Sequence, residues 1–532
     1  MSHSANILVE KKDENKNTQG NSNEEGQYLE NNFNETAWIT LLVNRITEKI
    51  TQTFQTLRRV VKFDEESRKI LKISVPSTFS TISESLLDAI VTAMVSAEIG
   101  ANAYIAYTMV SLFLDITDTF IGGIKDAESV LTAQAVGMEN YFLAGQYFQL
   151  STIIYIIIAI PSYGMWVFIA EWTLFKLNMG EEIAQIGGGY IRIAVVSQFV
   201  NGIAGAFSIL LWSADYGVLA TTIDTIFHVL YVLSLGILFY VFDMKDLVYV
   251  AWIDVVYGVL YGAFIFCFVY FKGTLDLYWK GMFLNCALKK GELVHGLLKM
   301  SVPLTLDSIM SYGEWGFFTF FSTTMGRAEV VVWSLGGAIW AMFETLPNGL
   351  GDAAELRVAF HLGKGCPDRA KNVAYKVLLY AVVWISFITG LLTYNSHNVV
   401  RCFTHDATLT EMLDELVVLM CIGNIIVCIG LLVSYILSAQ GRPQITTWIN
   451  VCCTLGIIFP LSTYFVFHYN YGLQSVVASI IIGSATSTLA LLCVVFTSDW
   501  EEISEEILHD EESSDEKSLD EESAYRQIPL SS

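Results

Sequence analysis

The sequence predicts an all-α polytopic membrane protein with about twelve transmembrane helices. Of its 532 residues, 53% are apolar and only 16% are charged, whereas soluble domains have roughly 25% charged residues. The apolar residues gather in stretches long enough to cross a bilayer, which takes about 20 residues. These stretches cover residues 71–98, 101–124, 146–171, 187–213, 217–242, 246–271, 296–322, 328–350, 371–394, 408–438, 445–468 and 472–497.

Both ends of the chain are polar and are predicted to be disordered. Residues 1–63 are rich in Asn, Glu, Lys and Gln, and a short helix is expected within 38–57. Residues 499–532 carry thirteen acidic and two basic side chains, about half of the net charge of -23. The charge balance therefore gives no reason to expect a basic partner, and no nucleic acid is expected.

The nine cysteines begin at Cys267 and mostly lie within apolar stretches, without a CxxC pair or the His spacing of a zinc site. We therefore expect no disulfide framework, no metal site and no cofactor. The first apolar stretch is itself of spanning length, so it should direct insertion without a cleavable signal peptide.

Positive charges alternate along the predicted loops, and cytoplasmic loops retain Lys and Arg. Basic residues cluster before the first stretch, between the sixth and seventh, and after the eighth: Arg58, Arg59, Lys62, Arg68, Lys69, Lys72, Lys272, Lys280, Lys289, Lys290, Lys299, Arg357, Lys364, Arg369, Lys371 and Lys376. The opposite loops offer little beyond Lys176, Lys245, Arg327 and Arg401. An even number of spans with both tails in the cytoplasm satisfies this pattern, in either the plasma membrane or the vacuolar membrane.

The chain contains an internal repeat. Residues 71–76, Leu-Lys-Ile-Ser-Val-Pro, return at 298–303 as Leu-Lys-Met-Ser-Val-Pro, and after a one-residue slip 123–137 corresponds to 349–363. Two halves of six spans enter the membrane in the same sense, which implies a pseudo-two-fold axis along the membrane normal. We predict an N-lobe at 64–271, a linker at 272–295 and a C-lobe at 296–498. A cleft between such lobes, open alternately to each side, is typical of transporters; duplication kept only for stability is the alternative.

Four acids within the first and seventh stretches are the main site candidates, because an intramembrane charge is costly, at about 2.5–3.5 kcal/mol. Glu84 and Asp88 lie four residues apart, and Asp307 and Glu314 seven apart, so each pair occupies one helix face. A carboxylate held away from water or beside a second one keeps a proton more readily. These groups could therefore load a proton or a cation on one side and release it on the other. The alternative is that some are hydrogen-bonded structural residues.

Other candidates rest on weaker patterns. Trp315 beside Glu314, with Trp333 and Trp340 on the next stretch, could form a box for a flat or cationic ligand, although interfacial packing is the common role of such residues. Gln134 could contact solute or could serve a capping or packing role. Further intramembrane acids, some of which could pair with Arg192 or His228, are Asp115, Asp118, Asp224, Asp254 and Glu344.

At these positions the sequence resembles the multidrug and toxic compound extrusion (MATE) family, eukaryotic type. The matching segments, in order, are Leu131-Thr-Ala-Gln-Ala-Val-Gly137 with Gln146 and Gln149, Ala354-Glu-Leu-Arg-Val-Ala-Phe-His-Leu-Gly-Lys-Gly365 with Arg369 and Lys371, and Gln440-Gly-Arg-Pro-Gln444 with Asn450. The resemblance implies two V-shaped lobes and an antiporter that expels organic, often cationic, compounds in exchange for protons or sodium. Its first-span acid falls on Asp88 and its seventh-span glutamate on Glu314.

The chain departs from the family pattern at three places. Cys428 and Gln444 stand where many members carry an acid, and Ala338 stands at the eighth-span glutamate of animal-type members, with Glu344 on the same helix. These departures leave the coupling ion and the range of solutes open.

The predicted function is therefore secondary active antiport of a small organic solute by a monomer in the lipid bilayer. A lipid-linked saccharide flippase of related fold is the nearest alternative, although the acids disfavour a site for phosphates. A membrane-embedded enzyme that uses the acids as general acid or base is a more distant one, because no paired His/Asp metal pattern accompanies them. No nucleotide-binding glycine loop is present, and no catalytic residue is assigned.

Overall fold

The computed structural model describes residues 60–284, 286–403, 406–469 and 472–509, and within these ranges the regular structure is helical, with no strand. Nearly all of the predicted N-terminal tail, including the helix expected within 38–57, and residues 510–532 lie outside the described residues. The described chain from Phe63 onward forms one compact unit.

Twelve long helices run through the described ranges. They are α1 (Glu65–Glu98), α2 (Ala101–Gly137), α3 (Tyr141–Lys176), α4 (Glu181–Ser213), α5 (Gly217–Tyr240), α6 (Leu247–Lys272), α7 (Gly291–Thr323), α8 (Arg327–Gly363), α9 (Pro367–Tyr394), α10 (Ala407–Ala439), α11 (Pro443–Cys453 and Phe459–Tyr469, joined by a π-helical turn, Thr454–Ile458) and α12 (Leu473–Thr497). Short helices Trp279–Phe283 and Ser396–Phe403 lie in the connections.

The predicted fold class is confirmed. Among the described residues, ten of these helices are long and apolar enough to cross a membrane, namely all except α7 and α8, which carry the acids Asp307, Glu314 and Glu344. The helices α1–α6 form the N-lobe and α7–α12 the C-lobe. We call the end of the bundle at which α1 begins and α8 ends the basic end.

Two turns at the basic end share a glycine that is followed two residues later by a proline. Helices α8 and α10 are each followed by a glycine in the left-handed region, Gly365 (φ 67°) and Gly441 (φ 76°). In both turns a proline, Pro367 or Pro443, starts the next helix. Glycine adopts this conformation without a side-chain clash, and proline suits the first turn of a helix because its missing N–H has no helical partner there.

Helices α2 and α8 extend about a dozen residues beyond their predicted ends, to Gly137 and Gly363. These extensions cross each other with no room for side chains. A Cβ on Gly137 would overlap the carbonyl oxygen of Phe360, and a Cβ on Gly363 would overlap that of Gln134. The repeat pairs Gly137 with Gly363 and Gln134 with Phe360, so the two contacts are reciprocal, as a pseudo-two-fold axis requires.

A second reciprocal pair lies deeper in the bundle. Gly123 on α2 packs against Ser301 and Thr305 of α7, and its counterpart Gly349 on α8 packs against Ser74 and Thr78 of α1. In the repeat, Ser74 corresponds to Ser301 and Thr78 to Thr305. The lobes are therefore joined by α1 with α8, α2 with α7, and α2 with α8, and the predicted pseudo-symmetry is confirmed.

Two glutamines of α3 hold the connection between the lobes. Gln149 donates to the Met282 carbonyl (2.8 Å) and accepts from the Ala287 N–H (2.6 Å). Gln146 accepts a hydrogen bond from Lys290 (3.0 Å), just before α7 begins. Because a side-chain amide can satisfy one donor and one acceptor together, Gln149 fixes the chain on either side of residue 285.

Gln149→Leu is expected to lower the thermal stability of the purified protein. The substitution leaves the Met282 carbonyl and the Ala287 N–H without their partner, and an unsatisfied buried polar group costs about 1–3 kcal/mol. The melting temperature should fall by several degrees, as followed by fluorescence-detected size exclusion after heating. Gln185→Leu, which removes an exposed contact with Glu181, is the matched control, and an equal fall in both variants would contradict this role.

The structure corrects one predicted boundary. Residues 499–532 were expected to be disordered, but residues 500–509 form a helix on the basic end. Trp500 and Ile503 are buried, and Ser504 donates to the Leu362 carbonyl (2.8 Å). The acidic composition of this segment concealed an amphipathic pattern, with apolar residues on the face that packs against the bundle.

Candidate functional site

The N-lobe contains a polar cavity of about 700 Å³. Glu84 and Asp88 of α1 line it, as their shared helix face predicted. Asp224 of α5 and Asp254 of α6 line the same cavity, although their spacing in the sequence gave no reason to group them. The remaining lining is largely Ser, Thr and amide side chains with several tyrosines, so water or a small cation can be solvated there.

A histidine accompanies these acids. His228 Nδ1 lies 3.5 Å from the Asp224 carboxylate, one helical turn away on α5. Ser80 of α1 also donates to Asp224 (3.4 Å). His228 interacts electrostatically with Glu84 and Asp88 as well. An imidazole, which can carry a proton, therefore lies within the acidic lining.

The C-lobe contains a cavity of about 680 Å³ that Asp307, Glu314 and Glu344 line. Asp307 accepts a hydrogen bond from Asn450 of α11 (2.8 Å), which in turn accepts one from Ser487 of α12 (2.6 Å). These bonds connect the acid on α7 to the two helices that close the far wall of the cavity.

Glu314 accepts a hydrogen bond from Thr454 (2.9 Å), the first residue of the π-helical turn in α11. A π-helical turn widens the helix locally and re-aims the side chains around it, and such turns are frequent at functional sites. The predicted carboxylate on α7 is therefore positioned by an irregularity in its neighbour that no sequence pattern indicated.

Three tryptophans form an aromatic wall in the same cavity. The ring centroids of Trp315 and Trp333 are 4.9 Å apart and those of Trp315 and Trp340 are 6.3 Å apart. Trp340 donates to Glu344 (2.7 Å), which orients that carboxylate. The three tryptophans that the sequence grouped therefore lie together, and Glu344 lies beside them.

The two cavities meet at α2. Asp115 lines both of them, and Asp118, one turn further along α2, lines the C-lobe cavity and accepts a hydrogen bond from Tyr163. Neither lining includes Lys or Arg among the described residues. Both linings therefore contain several acids and, among the described residues, no basic side chain other than His228.

Gln134 differs from the other candidates in its surroundings. Its side chain is buried at the crossing of α2 with α8 and donates to the Ala439 carbonyl (3.1 Å) at the end of α10. A contact with solute stays a prediction for this residue. Its geometry supplies the packing role that was the alternative.

Sequence reasoning missed part of the cavity chemistry. His228 was expected to pair with one of the intramembrane acids, and that acid is Asp224, four residues away on the same helix face. The ring of tyrosines around them, including Tyr107, Tyr190 and Tyr231, carries no such signal because tyrosines occur throughout the chain. Arg192, a possible partner for the intramembrane acids, pairs with Glu171 instead (2.8 Å).

The geometry of two matched lobes with an acid-lined cavity in each agrees with comparisons to known proteins. The family model described as MatE matches the chain twice, over residues 76–238 and 303–464. The chain belongs to the MATE family. The double match coincides with the internal repeat. Membership of this family also means that the protein is a transporter and not an enzyme.

Relatives extend over most of the chain at low identity. Protein DETOXIFICATION 9 from Arabidopsis thaliana is 22% identical over 447 residues, which cover 82% of this chain and 90% of the relative. Multidrug and toxin extrusion protein 1 from Homo sapiens is 19% identical over 453 residues, which cover 83% and 76%. The crystal structure of the eukaryotic MATE transporter AtDTX14 superposes with a TM-score of 0.74 at 17% identity, covering 84% of this chain and 98% of that one. This likeness shows the fold.

Proposed function

We propose that this MATE transporter is a cation-coupled antiporter that expels organic cations, with Asp88 and Glu314 as its coupling acids. The observation that carries the proposal is the pair of adjoining cavities, one in each lobe, lined by acids and by neither Lys nor Arg among the described residues. Volumes near 700 Å³ lie within the range of small-molecule sites. Glu84 and Asp307 support the coupling acids from the same helix faces.

The C-lobe cavity supplies the binding surface for the solute. A cation over an indole face is attracted by the ring quadrupole, and Glu314 and Glu344 beside the Trp315 wall add charge of the opposite sign. Loading of protons or sodium on these acids removes that charge and releases the solute. The same acids then lose their cation on the other side and bind solute again.

The basic end is proposed to face the cytoplasm, because loops rich in Lys and Arg are retained there. In that orientation the contacts among α1, α2, α7 and α8 close the cytoplasmic side. The protein is proposed to act as a monomer, in the plasma membrane or the vacuolar membrane.

Purified protein in proteoliposomes tests the proposal. A proton or sodium gradient imposed across the vesicle should drive uptake of a fluorescent organic cation, and an organic anion of similar size should not move. Transport of a lipid-linked phosphate compound with no ion dependence would instead support the flippase alternative. We do not expect this result, because such a compound needs a cationic cavity. Gradient-independent uptake of the cation would contradict ion coupling.

Trp315→Ala is expected to weaken solute binding and to leave ion coupling intact. A desolvated cation–π contact contributes about 2 kcal/mol, so the concentration for half-maximal transport should rise by about tenfold or more. Trp448→Ala is the matched control, since Trp448 is 65% exposed on α11 and is not among the residues lining either cavity. Equal affinity in wild type and Trp315→Ala would remove the aromatic wall from the solute site.

A further inference from the structure

A cluster of partly buried ion pairs lies at the basic end, apart from both cavities. Lys376 Nζ is fully buried and lies 2.5 Å from the Asp64 carboxylate. Arg357 donates to both oxygens of Glu66 (2.8 and 3.0 Å), and His361, 2% exposed, lies 3.3 Å from the same carboxylate. We call these five residues the latch cluster.

The Asp64 end of the cluster is tightly bound. Asp64 caps α1 by accepting the Ser67 N–H (3.0 Å), and Lys376 and Tyr380 also donate to the Ser67 hydroxyl (3.3 and 2.8 Å). Burial alone would raise the pKa of Asp64, but the hydrogen bonds and charge of Lys376 together with Ser67 hold it below its usual value. The carboxylate is therefore ionised at neutral pH, and its contribution is lost only when the pH falls through this lowered pKa.

The latch cluster joins the two lobes. Asp64 and Glu66 belong to the start of α1 in the N-lobe, whereas Arg357 and His361 lie on α8 and Lys376 on α9, in the C-lobe. Every ion pair in the cluster therefore crosses the interface between lobes. Separation of the lobes at this end has to break all of them.

The pseudo-symmetric side of the interface has no such cluster. The repeat pairs Glu66 with Leu293, Arg357 with Leu131 and Lys376 with Leu150, and these three leucines are buried in the apolar core. In the polar contacts described there, one of the two side chains is uncharged, as in the hydrogen bond that Lys290 donates to Gln146. The interface between the lobes is therefore charged on one side of the pseudo-two-fold axis and apolar on the other.

Charged and apolar interfaces behave differently when the two lobes separate. Apolar packing stabilises a buried interface at least as well as an ion pair does, since charges lose hydration on burial. When the interface separates, however, the charges regain that hydration, whereas newly exposed apolar surface meets water at a cost. Charge is thus the better choice where an interface opens and closes repeatedly.

We propose that the latch cluster closes the basic end of the cleft and releases in each transport cycle, so that Glu66, Arg357 and Lys376 set the balance between the two access states. This inference rests on the proposed alternating access. The side with α1 opens, and the leucine side with α7 and α3 acts as the hinge.

Crosslinking of two introduced cysteines by a bifunctional thiol reagent measures the closure without any solute or gradient. Glu139 and Lys364 face each other across the lobes at the basic end, with their charged atoms 3.7 Å apart. In a background without the nine native cysteines, Glu139→Cys with Lys364→Cys should be joined rapidly by a bifunctional thiol reagent about as long as the two native side chains. Adding Glu66→Gln or Lys376→Met should slow the crosslinking several-fold, because each leaves a charge on the opposite lobe without its ion-pair partner in the closed state and so favours the separated lobes.

Two further variants make the result specific. The charge exchange Glu66→Arg with Arg357→Glu should restore the rate, and Glu171→Gln, which removes the ion pair with Arg192 inside the N-lobe, should leave it unchanged. All variants are compared as monodisperse protein. Unchanged crosslinking in Glu66→Gln and Lys376→Met, or no recovery on charge exchange, would overturn the latch. Because the assay involves no transport, failure of the proposed antiport would appear separately, as absent gradient-driven uptake by the wild type.

Discussion

Asp88→Asn and Glu314→Gln are each expected to remove most gradient-driven transport while the protein still folds. The amides keep the shape of the side chains, but they neither release a proton nor carry the charge that a cation needs. Coupling free energies between two ligands are typically 1–3 kcal/mol, equivalent to about 5–150-fold. Loss of the coupling acid should therefore lower the accumulation of solute at a fixed gradient by at least fivefold.

The measurement is uptake of the same organic cation under an imposed proton or sodium gradient, for wild type and both variants. Asp368→Asn and Glu182→Gln are the matched controls, because both acids are exposed near helix starts and are not among the residues lining either cavity. If both cavity variants kept full ion-dependent uptake, the assignment of Asp88 and Glu314 would be wrong.

Gly363→Ala, a small substitution at the basic end, is expected to destabilise the protein strongly. A methyl group there would lie 2.8–2.9 Å from the backbone carbon atoms of Gln134 and would overlap the carbonyl oxygen. These are backbone atoms of a helix, so the clash is relieved only if α2 and α8 move apart. Overpacking of this kind costs about 1–3 kcal/mol and more when the backbone is rigid.

The yield and melting temperature of purified Gly363→Ala should both fall clearly below those of the wild type. Gly390→Ala on α9 is the matched control, since a methyl group there meets nothing within 4 Å. Gly137→Ala should repeat the effect of Gly363→Ala, because the two contacts are reciprocal. If Gly363→Ala and Gly137→Ala were both as stable as the wild type, α2 and α8 could not cross as closely as the structure shows.

The fold followed from the sequence because its determinants are local or repeated. Apolar stretches of spanning length predict helices one at a time, and the return of Leu71–Pro76 at Leu298–Pro303 predicts two equivalent halves. The extension of α2 and α8 to Gly137 and Gly363 was not predicted from the sequence, because those segments are too polar to resemble membrane-spanning stretches. They are buried against each other rather than against lipid.

The sequence predicted which residues share the site only where they lie on one face of a single helix. The spacing of Glu84 and Asp88 was enough to place both in one cavity. The meeting of the Asp224–His228 pair with Asp254 and with the acids of α1 depends on how α5 and α6 rotate against α1, which no single-helix pattern contains. The π-helical turn at Thr454 that positions Glu314 is likewise a property of packing.

The latch cluster shows the same limit over a longer range. Arg357 and Glu66 are 291 residues apart in the chain, and only the lobe-to-lobe contact brings them together. Their basic members were counted in the sequence as loop charges that orient the protein. In the structure, Lys376 is fully buried and Arg357 is partly buried, and both are paired, so one charge can serve both purposes.

The central claim is that movement of solute and movement of a cation are obligatorily opposed. Its most direct test is the reverse flux in wild-type proteoliposomes: a gradient of organic cation is imposed with no ion gradient, and the internal pH and sodium concentration are followed by fluorescence. The account predicts that inward flow of the solute drives protons or sodium outward, with saturation at the same solute concentration as uptake. Solute entry with no opposed movement of either ion would contradict it.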